Sequence, residues 1–326
     1  MTRARRIVAA LGVSTLLLTA AACGSEDDSG ETSEGPLARV TGELGRSPEI
    51  ELNEDARAGD EAVADVLSAG DGAVIEEGDY LRVDVVGQLA ENGTPLLDTW
   101  NAAGDDPEAP HQQVIVQAGV DSYMRANVTR PLIGLTAGSR VKIEGQAGDM
   151  LGDGIADAGI DAEDGVVWVF DLVAASRVDP HGEAQGEQAP TEEGLPEVEA
   201  GGGEAATITV PEGQDPPEEL AQQVLIEGDG AEVEAGQGVA VQYTGVLWDG
   251  GEQFDSSWDR ESASAFQIGT GAVVDGWDEG LVGKRVGDRV LLVVPPDMGY
   301  GDEEAGDGAI PAGSTLVFVV DILAAF

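Results

Sequence analysis

The sequence predicts an α+β protein made of two related domains, and three observations support this prediction. A 24-residue stretch that starts at Val66 aligns without gaps to one that starts at Val224, with eleven identical positions. Each stretch contains alternating and β-branched runs that are typical of strands. Only residues 275–281, around Trp277, have the pattern of a short helix. We therefore expect an antiparallel sheet packed on one short α-helix, used twice.

The repeat continues beyond this stretch and sets the extent of both copies. Residues 131–141 resemble residues 280–290, and residues 167–175 resemble residues 317–325. Acidic stretches rich in Gly, Ser, Gln and Pro separate the copies and precede the first, and their composition predicts disorder. The predicted organisation is a signal peptide (1–22), a disordered acidic tether (23–59), a first domain (60–178), a disordered acidic linker (179–204) and a second domain (205–326).

The charge of the chain excludes one class of partner. The sequence has 63 acidic and 16 basic side chains, a formal net charge of −47. Such a surface repels phosphate backbones, so no nucleic acid is expected as a partner. Solubility is the simplest reason for this charge, and cation buffering is the alternative. Residues 149–164 are rich in Asp and Gly but lack the residue order of a calcium loop, so no metal site is predicted.

The first residues have the pattern of an export signal. Arg3, Arg5 and Arg6 precede an uncharged stretch over residues 7–22, which is short and rich in Ala and Leu. The small residues before Cys23, the only cysteine, resemble a bacterial lipobox, although Ala20 stands where Leu is usual. The resemblance implies lipidation of Cys23, cleavage before it, and anchoring on the outer face of the cell membrane. The alternative is a plain signal peptide with an incidental cysteine.

A series of aromatic and apolar motifs runs through the second domain. They are Tyr243-Thr-Gly, Phe254-Asp-Ser-Ser, Phe266-Gln-Ile-Gly, Val273-Val-Asp-Gly-Trp, Val294-Pro-Pro-Asp-Met-Gly-Tyr, Ile310-Pro and Thr315-Leu-Val-Phe. Their order and spacing resemble the FKBP-type peptidyl-prolyl cis/trans isomerases across essentially all of residues 220–326. The first domain is identified as a degenerate member of the same family. The resemblance implies an FKBP-like fold for both domains and prolyl isomerase activity for the second.

The same motifs also indicate a pocket on physical grounds. Aromatic residues make up only 4% of the chain, yet most of those in this half fall within the motifs. A concave aromatic surface with few polar groups suits an apolar ring, and proline has such a ring. Trp277 is expected to form the floor of this pocket. The other residues predicted to bind substrate are Phe254, Phe266, Val273, Val274, Ile310 and Phe318.

Three polar residues are predicted to act on the substrate. The resemblance implies that Asp255 points into the pocket and is held by Tyr243, while the Tyr300 hydroxyl donates to a substrate carbonyl. It also implies that the backbone N–H of Val274 binds a second carbonyl. Amide rotation requires no nucleophile, metal or cofactor, so none is predicted. Clients would be proline-containing unfolded or exported proteins, and macrolide ligands could also bind. The alternative function is a binding or chaperone module with little turnover.

The first domain is expected to have lost this site. In the sequence alignment four residues of the second domain are replaced by aliphatic ones, and the aligned residues are Val85 for Tyr243, Leu97 for Phe254, Val128 for Trp277 and Leu151 for Tyr300. The same alignment leaves Asp98 as a possible pocket acid and Trp168 at the position of Phe318. We expect a non-catalytic domain that holds substrate or acts as a spacer.

Overall fold

The computed structural model describes residues 35–53, 55–101, 111–152 and 154–326. The predicted signal peptide, Cys23 and the beginning of the predicted tether lie outside the described residues. Within those residues no helix has both the length and the apolar character needed to cross a bilayer.

The first half of the described chain contains eight strands and two short helices. They are β1 (Ala38–Thr41), β2 (Glu49–Leu52), β3 (Val63–Ser68), β4 (Tyr80–Leu89), β5 (Pro95–Asp98), β6 (Val114–Gln117), α1 (Ala126–Thr129), β7 (Arg140–Gln146), α2 (Ala147–Leu151) and β8 (Gly165–Ser176). The six strands from β3 onward form one antiparallel sheet in the order β3-β7-β8-β4-β5, with β6 also paired to β4.

The second half repeats this arrangement. Its elements are β9 (Glu197–Glu199), β10 (Thr207–Thr209), β11 (Ala221–Ile226), β12 (Gly238–Leu247), β13 (Gln253–Ser256), β14 (Ser264–Gln267), α3 (Asp275–Leu281), β15 (Arg289–Val294) and β16 (Leu316–Ala325). The sheet order is β11-β15-β16-β12-β13, with β14 paired to β12. Strand for strand this is the order of the first sheet, as expected from an internal repeat.

The helix α3 packs on the inner face of the second sheet and places Trp277 there. Two glycines allow this close approach. A Cβ on Gly276 would lie 2.4 Å from the side chain of Val294, and one on Gly280 would lie 2.7 Å from Leu292. Any larger residue would push the helix off the sheet. The core between them is aliphatic, with Leu281 and Leu292 fully buried.

The outer face of each sheet is also covered, and this differs from the sequence-based expectation. The sequence predicts disorder over residues 23–59 and 179–204. In the structure the described part of the first segment contains the hairpin β1–β2, and the second segment runs into the hairpin β9–β10. The first hairpin packs on Val167 and Val169 of β8, and the second packs on an apolar layer that includes Val317. A sheet that is apolar on both faces must be covered on both, so these segments are ordered despite their composition.

A buried ion pair joins each covering segment to its sheet. Arg289 contacts Asp321 through two hydrogen bonds of 2.6 and 2.7 Å, and the Ala184 backbone N–H donates to the same carboxylate over 2.9 Å. In the first domain Arg140 and Asp171 form the equivalent pair, which accepts a hydrogen bond from the Gly45 backbone N–H. The covering segments are thus anchored by charge-assisted bonds as well as by apolar contact.

Candidate active site

A cavity of about 270 Å³ opens at the inner face of the second sheet, beside α3. Nine of the ten residues that the sequence predicts for the pocket of this domain line it. The lining consists of Tyr243, Phe254, Asp255, Ser264, Phe266, Ala272, Val273, Val274, Trp277, Tyr300 and Phe318. Ile310 is 4% exposed and belongs to the core beneath, so the structure does not place it among the lining residues.

The floor of the cavity is a set of aromatic rings in edge-to-face contact. The Trp277 ring lies 5.2 Å from that of Tyr243, 5.0 Å from that of Phe266 and 5.1 Å from that of Phe318. Phe254 meets Phe318 at 5.5 Å with an interplanar angle of 88°. Edge-to-face contacts of this kind hold each ring in one orientation. The result is a rigid, apolar cup of a size that suits a proline ring.

Gly245 of β12 makes room for two of these rings. A Cβ at this position would lie 2.7 Å from Phe254 and 3.0 Å from Phe318. Any side chain here would displace the wall of the cavity. The glycine is conserved within the repeat as Gly87, where a Cβ would lie 2.0 Å from the ring of Trp168. In both domains this glycine therefore lets a large aromatic ring pack directly against the backbone of the strand.

Four polar side chains form a connected group at one side of the cavity. The Tyr243 hydroxyl donates a short hydrogen bond to one oxygen of Asp255, and the Arg260 guanidinium donates to the other. Arg260 also donates to the Tyr243 hydroxyl oxygen over 2.9 Å and to the Ser264 hydroxyl over 3.2 Å. The Asp255 carboxylate is thereby held at the edge of the cavity with a partner on each oxygen.

This group changes the proton affinity of Tyr243. Burial, together with the hydrogen bond to Asp255, raises the pKa of Tyr243 to about 12. Burial by itself would lower the pKa of Arg260, but its hydrogen bonds to Asp255 and Tyr243 raise it overall. Tyr243 therefore stays a neutral hydrogen-bond donor and Arg260 stays a cation throughout the neutral range.

We expect the stability of this domain to fall at high pH because Tyr243 resists ionisation in the folded state. The folded pKa of about 12 lies above the ordinary value of 10.0, so the contribution is complete below pH 10 and is lost as the pH rises through 12. Asp255→Asn should lower this pKa toward, but not to, the ordinary value, since burial remains. Ultraviolet absorbance of tyrosinate measures the shift, and Tyr243→Phe identifies the signal. An unchanged titration in Asp255→Asn would contradict the role of the carboxylate.

Two hydrogen-bond donors at the rim have no partner in the part of the chain that the structure describes. The Tyr300 side chain is 44% exposed, and its hydroxyl makes no hydrogen bond there. The Val274 backbone N–H, directly before α3, also has no acceptor among these residues. Both groups can therefore donate to a peptide carbonyl without first breaking an internal bond.

Arg260, Ser264 and Ala272 are parts of the site that the sequence-based prediction lacks. Arg260 follows Asp255 by five residues, and a carboxylate at the edge of an apolar pocket favours a cation nearby. That preference was the signal available in the sequence. Ser264 and Ala272 carry no such signal, because Ala272 matters through the space it leaves at the rim and Ser264 through a hydrogen bond that depends on where the fold places Arg260.

The strand register corrects the alignment of the first domain. Leu97 pairs with Gly87 of β4, whereas Asp255 pairs with Gly245 of β12, so Leu97 takes the place of the pocket acid. Asp98 therefore does not retain the acid, contrary to the sequence-based alignment, and its carboxylate accepts a hydrogen bond from the Trp100 backbone N–H. The turns before β5 and β13, residues 90–94 and 248–252, have the same length. The ungapped alignment of the repeat therefore continues through both strands, and the sequence-based alignment had shifted it by one residue.

The space beside β8 of the first domain has a mostly apolar lining that contains no acidic residue. A cavity of about 240 Å³ lies there, with Trp168 at the position of Phe318 as predicted. Its other lining residues are Leu96, Leu97, Tyr123, Met124, Arg125, Val128, Met150 and Leu151. Val85, at the position of Tyr243, is fully buried in the core. The first domain thus keeps a pocket but not the polar group of the second.

Comparisons with known proteins agree with this geometry. The sequence model of the family described as FKBP-type peptidyl-prolyl cis-trans isomerase matches residues 230–323. An FK506-binding protein of Streptomyces anulatus is 47% identical over 112 residues, which cover 34% of this chain and 90% of that protein. A probable FK506-binding protein of Corynebacterium glutamicum is 44% identical over 109 residues, covering 33% of this chain and 89% of its own length.

Among solved structures, the crystal structure of AtFKBP13 is similar over 32% of this chain and 91% of its own, with 35% identity and a TM-score of 0.31. The family match and the aromatic cavity both fall on the second domain. The α+β architecture predicted from the sequence, with its twofold use, is confirmed. This chain belongs to the FKBP-type peptidyl-prolyl cis-trans isomerase family.

Proposed function

We propose that the second domain isomerises Xaa-Pro bonds of exported proteins and so assists their folding outside the cytoplasmic membrane. The observation that carries this proposal is the rigid aromatic cup around Trp277 with free donors at its rim. The proline ring would sit on Trp277, between Phe254, Phe266 and Phe318. Its size and chemistry fit a cavity of about 270 Å³ with an almost wholly apolar floor.

Catalysis would follow from the environment of the amide. Rotation about the prolyl bond is slow because resonance favours the planar, more polar form. An apolar cup disfavours that form relative to the twisted one, which lowers the barrier. The donors of Tyr300 and Val274 would hold the carbonyls on either side, so that only the amide between them turns. Asp255, fixed by Tyr243 and Arg260, would contact the carbonyl that rotates.

Tyr300→Phe tests the role of the rim donor. One hydrogen bond to substrate is worth about 0.5–1.5 kcal/mol, so kcat/KM should fall by roughly two- to tenfold. The measurement is the cis-to-trans relaxation of short Xaa-Pro peptides with the full chain. Since Tyr300 is largely exposed at its rim, the fold should be unaffected, which circular dichroism checks. An unchanged rate in the variant would contradict this role.

A second candidate function is peptide binding with little turnover. The mostly apolar cavity of the first domain favours it, because that cavity lacks counterparts of Asp255 and Tyr243. The two functions differ in the peptide assay. Acceleration of the relaxation by the full chain would support the isomerase. Binding without acceleration, in a series of peptides that differ in the residue before proline, would support the binding module instead. The names of the relatives also suggest that FK506-like macrolides compete for the cup of the second domain.

We place the protein on the outer face of the cell membrane, held by a lipid on Cys23. The support is the sequence pattern alone: arginines, a short apolar stretch and small residues before the single cysteine. Cys23→Ser should move the protein from the membrane fraction to the soluble fraction of a bacterial host and abolish labelling by a fatty-acid analogue. An unchanged distribution and unchanged labelling would contradict the anchor.

A further inference from the structure

A groove of about 510 Å³ runs between the two domains. Its walls are the strand β6 of the first domain and the strand β14 of the second, which occupy equivalent positions in the repeat. Each is bonded to only one other strand of the described chain, β6 to β4 and β14 to β12. The outer edges of β6 and β14 face one another, with Cα atoms within 8 Å, so a peptide in the groove would lie over the two strands rather than between them.

The groove is continuous with the cup of the second domain. Ser264, Phe266 and Ala272 line both cavities, so a peptide that leaves the cup on this side enters the groove directly. The residues that line both cavities are small except for Phe266, and the Arg260 guanidinium, which also lines the groove, borders the junction through its hydrogen bond to Ser264. The groove thus extends the candidate active site toward the first domain.

At its other end the groove reaches the pocket of the first domain. Tyr123 lines both the groove and that pocket, and its side chain is 63% exposed. Met124 and Met150 lie beyond it, with Leu151 and Trp168. Methionine side chains adapt to ligands of different shapes, and the pocket contains no carboxylate or amide. Its chemistry therefore suits an aliphatic or aromatic side chain, without a requirement for proline.

The two domains are fixed to one another along this groove by hydrogen bonds. The Tyr80 hydroxyl donates to the Ala263 carbonyl over 2.7 Å, and the Gln113 backbone N–H donates to the Gln267 side chain over 2.8 Å. Arg82 donates to the carbonyl of Gly236 at the same interface. Tyr80 is 7% exposed, so its bond is shielded from water. The two pockets are consequently held at a constant distance, as a ligand that enters both would require.

We propose that one extended, non-native client segment occupies the whole path, with a proline in the cup of the second domain and an apolar side chain in the pocket of the first. The backbone between them lies in the groove, over β6 and β14. This rests on the proposed function, which supplies the proline at one end. The first domain thereby selects unfolded clients, because only an unfolded segment exposes an apolar residue at a suitable distance from a proline.

The experiment uses the full chain and a series of fluorescent peptides. Each peptide carries one proline and one leucine separated by two to about twelve polar residues, a span of up to roughly 40 Å when extended. Leu151→Gln alters the pocket of the first domain. Leu67→Gln, an exposed leucine on β3 that lines none of the three cavities, is the matched control. Binding is followed by anisotropy, and isomerisation of a proline tetrapeptide is measured in parallel.

We expect one spacing at which the peptide with both anchors binds about tenfold more tightly than a peptide with the proline alone. Burial of one additional apolar side chain accounts for a gain of this size. Leu151→Gln should abolish this gain, while Leu67→Gln retains it. A gain that is equal in both variants, or independent of spacing, would overturn the proposal. The tetrapeptide rate reports separately on the proposed function: it can fail while two-anchor binding persists, and the reverse also holds.

Discussion

Trp277→Ala is expected to destabilise the second domain by about 3–5 kcal/mol and to abolish its isomerase activity. The side chain is 5% exposed and contacts the rings of Tyr243, Phe266 and Phe318. Its removal leaves a cavity under the cup and releases three rings from their orientation. Urea titration followed by hydrogen exchange of β15 and β16 measures the stability of this domain. The peptide assay, run at low temperature where the variant stays folded, measures the activity.

Two further variants separate the packing effect from the catalytic one. Trp168→Ala removes a ring of the same type that is 4% exposed in the first domain, so it should cost similar stability there without loss of tetrapeptide turnover. Trp277→Leu refills part of the space and should keep the fold while lowering kcat/KM by about tenfold or more. Full turnover in Trp277→Leu would show that the ring is only a core residue.

Arg289→Met is expected to destabilise the second domain by about 3–5 kcal/mol, because it leaves the Asp321 carboxylate buried without its cation. The two side chains are 3% and 4% exposed and share two short hydrogen bonds. The same change should also release the covering segment that Asp321 holds through the Ala184 backbone N–H. Hydrogen exchange of residues 184–189 and of β16 measures both effects.

The double variant Arg289→Met/Asp321→Leu is the control for this prediction. With both charges removed, apolar side chains fill the space and much of the lost stability should return. Arg140→Met repeats the experiment in the first domain, where the Gly45 backbone N–H takes the part of Ala184. If Arg289→Met costs less than about 1 kcal/mol, the pair behaves as an exposed surface bridge and the prediction is wrong.

Most of the catalytic wall could be predicted from the sequence because its residues fall in motifs of fixed order. Tyr243, Asp255 and Trp277 are far apart along the chain, and the motif resemblance brought them into one pocket. Ile310 shows the limit of this approach, since it shares a motif but lies in the core. Arg260 was missed because its role depends on a fold of the loop after β13 that places its guanidinium over Tyr243, 5.6 Å from the ring centre.

The register of the first domain was misassigned from the sequence, although the ungapped alignment of the repeat, continued past Leu89, places Leu97 at the position of Asp255. A shift of one residue exchanges the inner and outer faces of a strand, and the aliphatic run Leu96-Leu97 tolerates either alignment. The pairing of Leu97 with Gly87 shows that the pocket acid is absent. With the aliphatic residues at the positions of Tyr243 and Trp277, it leaves the first domain without the polar group and the floor of the cup.

By itself the sequence determined the internal repeat, the antiparallel sheet with one short helix in the second domain, and the aromatic set that lines the cup. These follow from local periodicity and from motifs, both of which are written in consecutive residues. The tertiary structure alone decided three things: that the acidic segments are ordered, that Arg260 is the second partner of Asp255, and that a groove joins the two pockets. Each depends on surfaces contributed by residues far apart in the chain. The acidic segments are ordered because β8 and β16 are apolar on both faces and their outer faces must be covered. The composition of the segments themselves does not reveal this requirement.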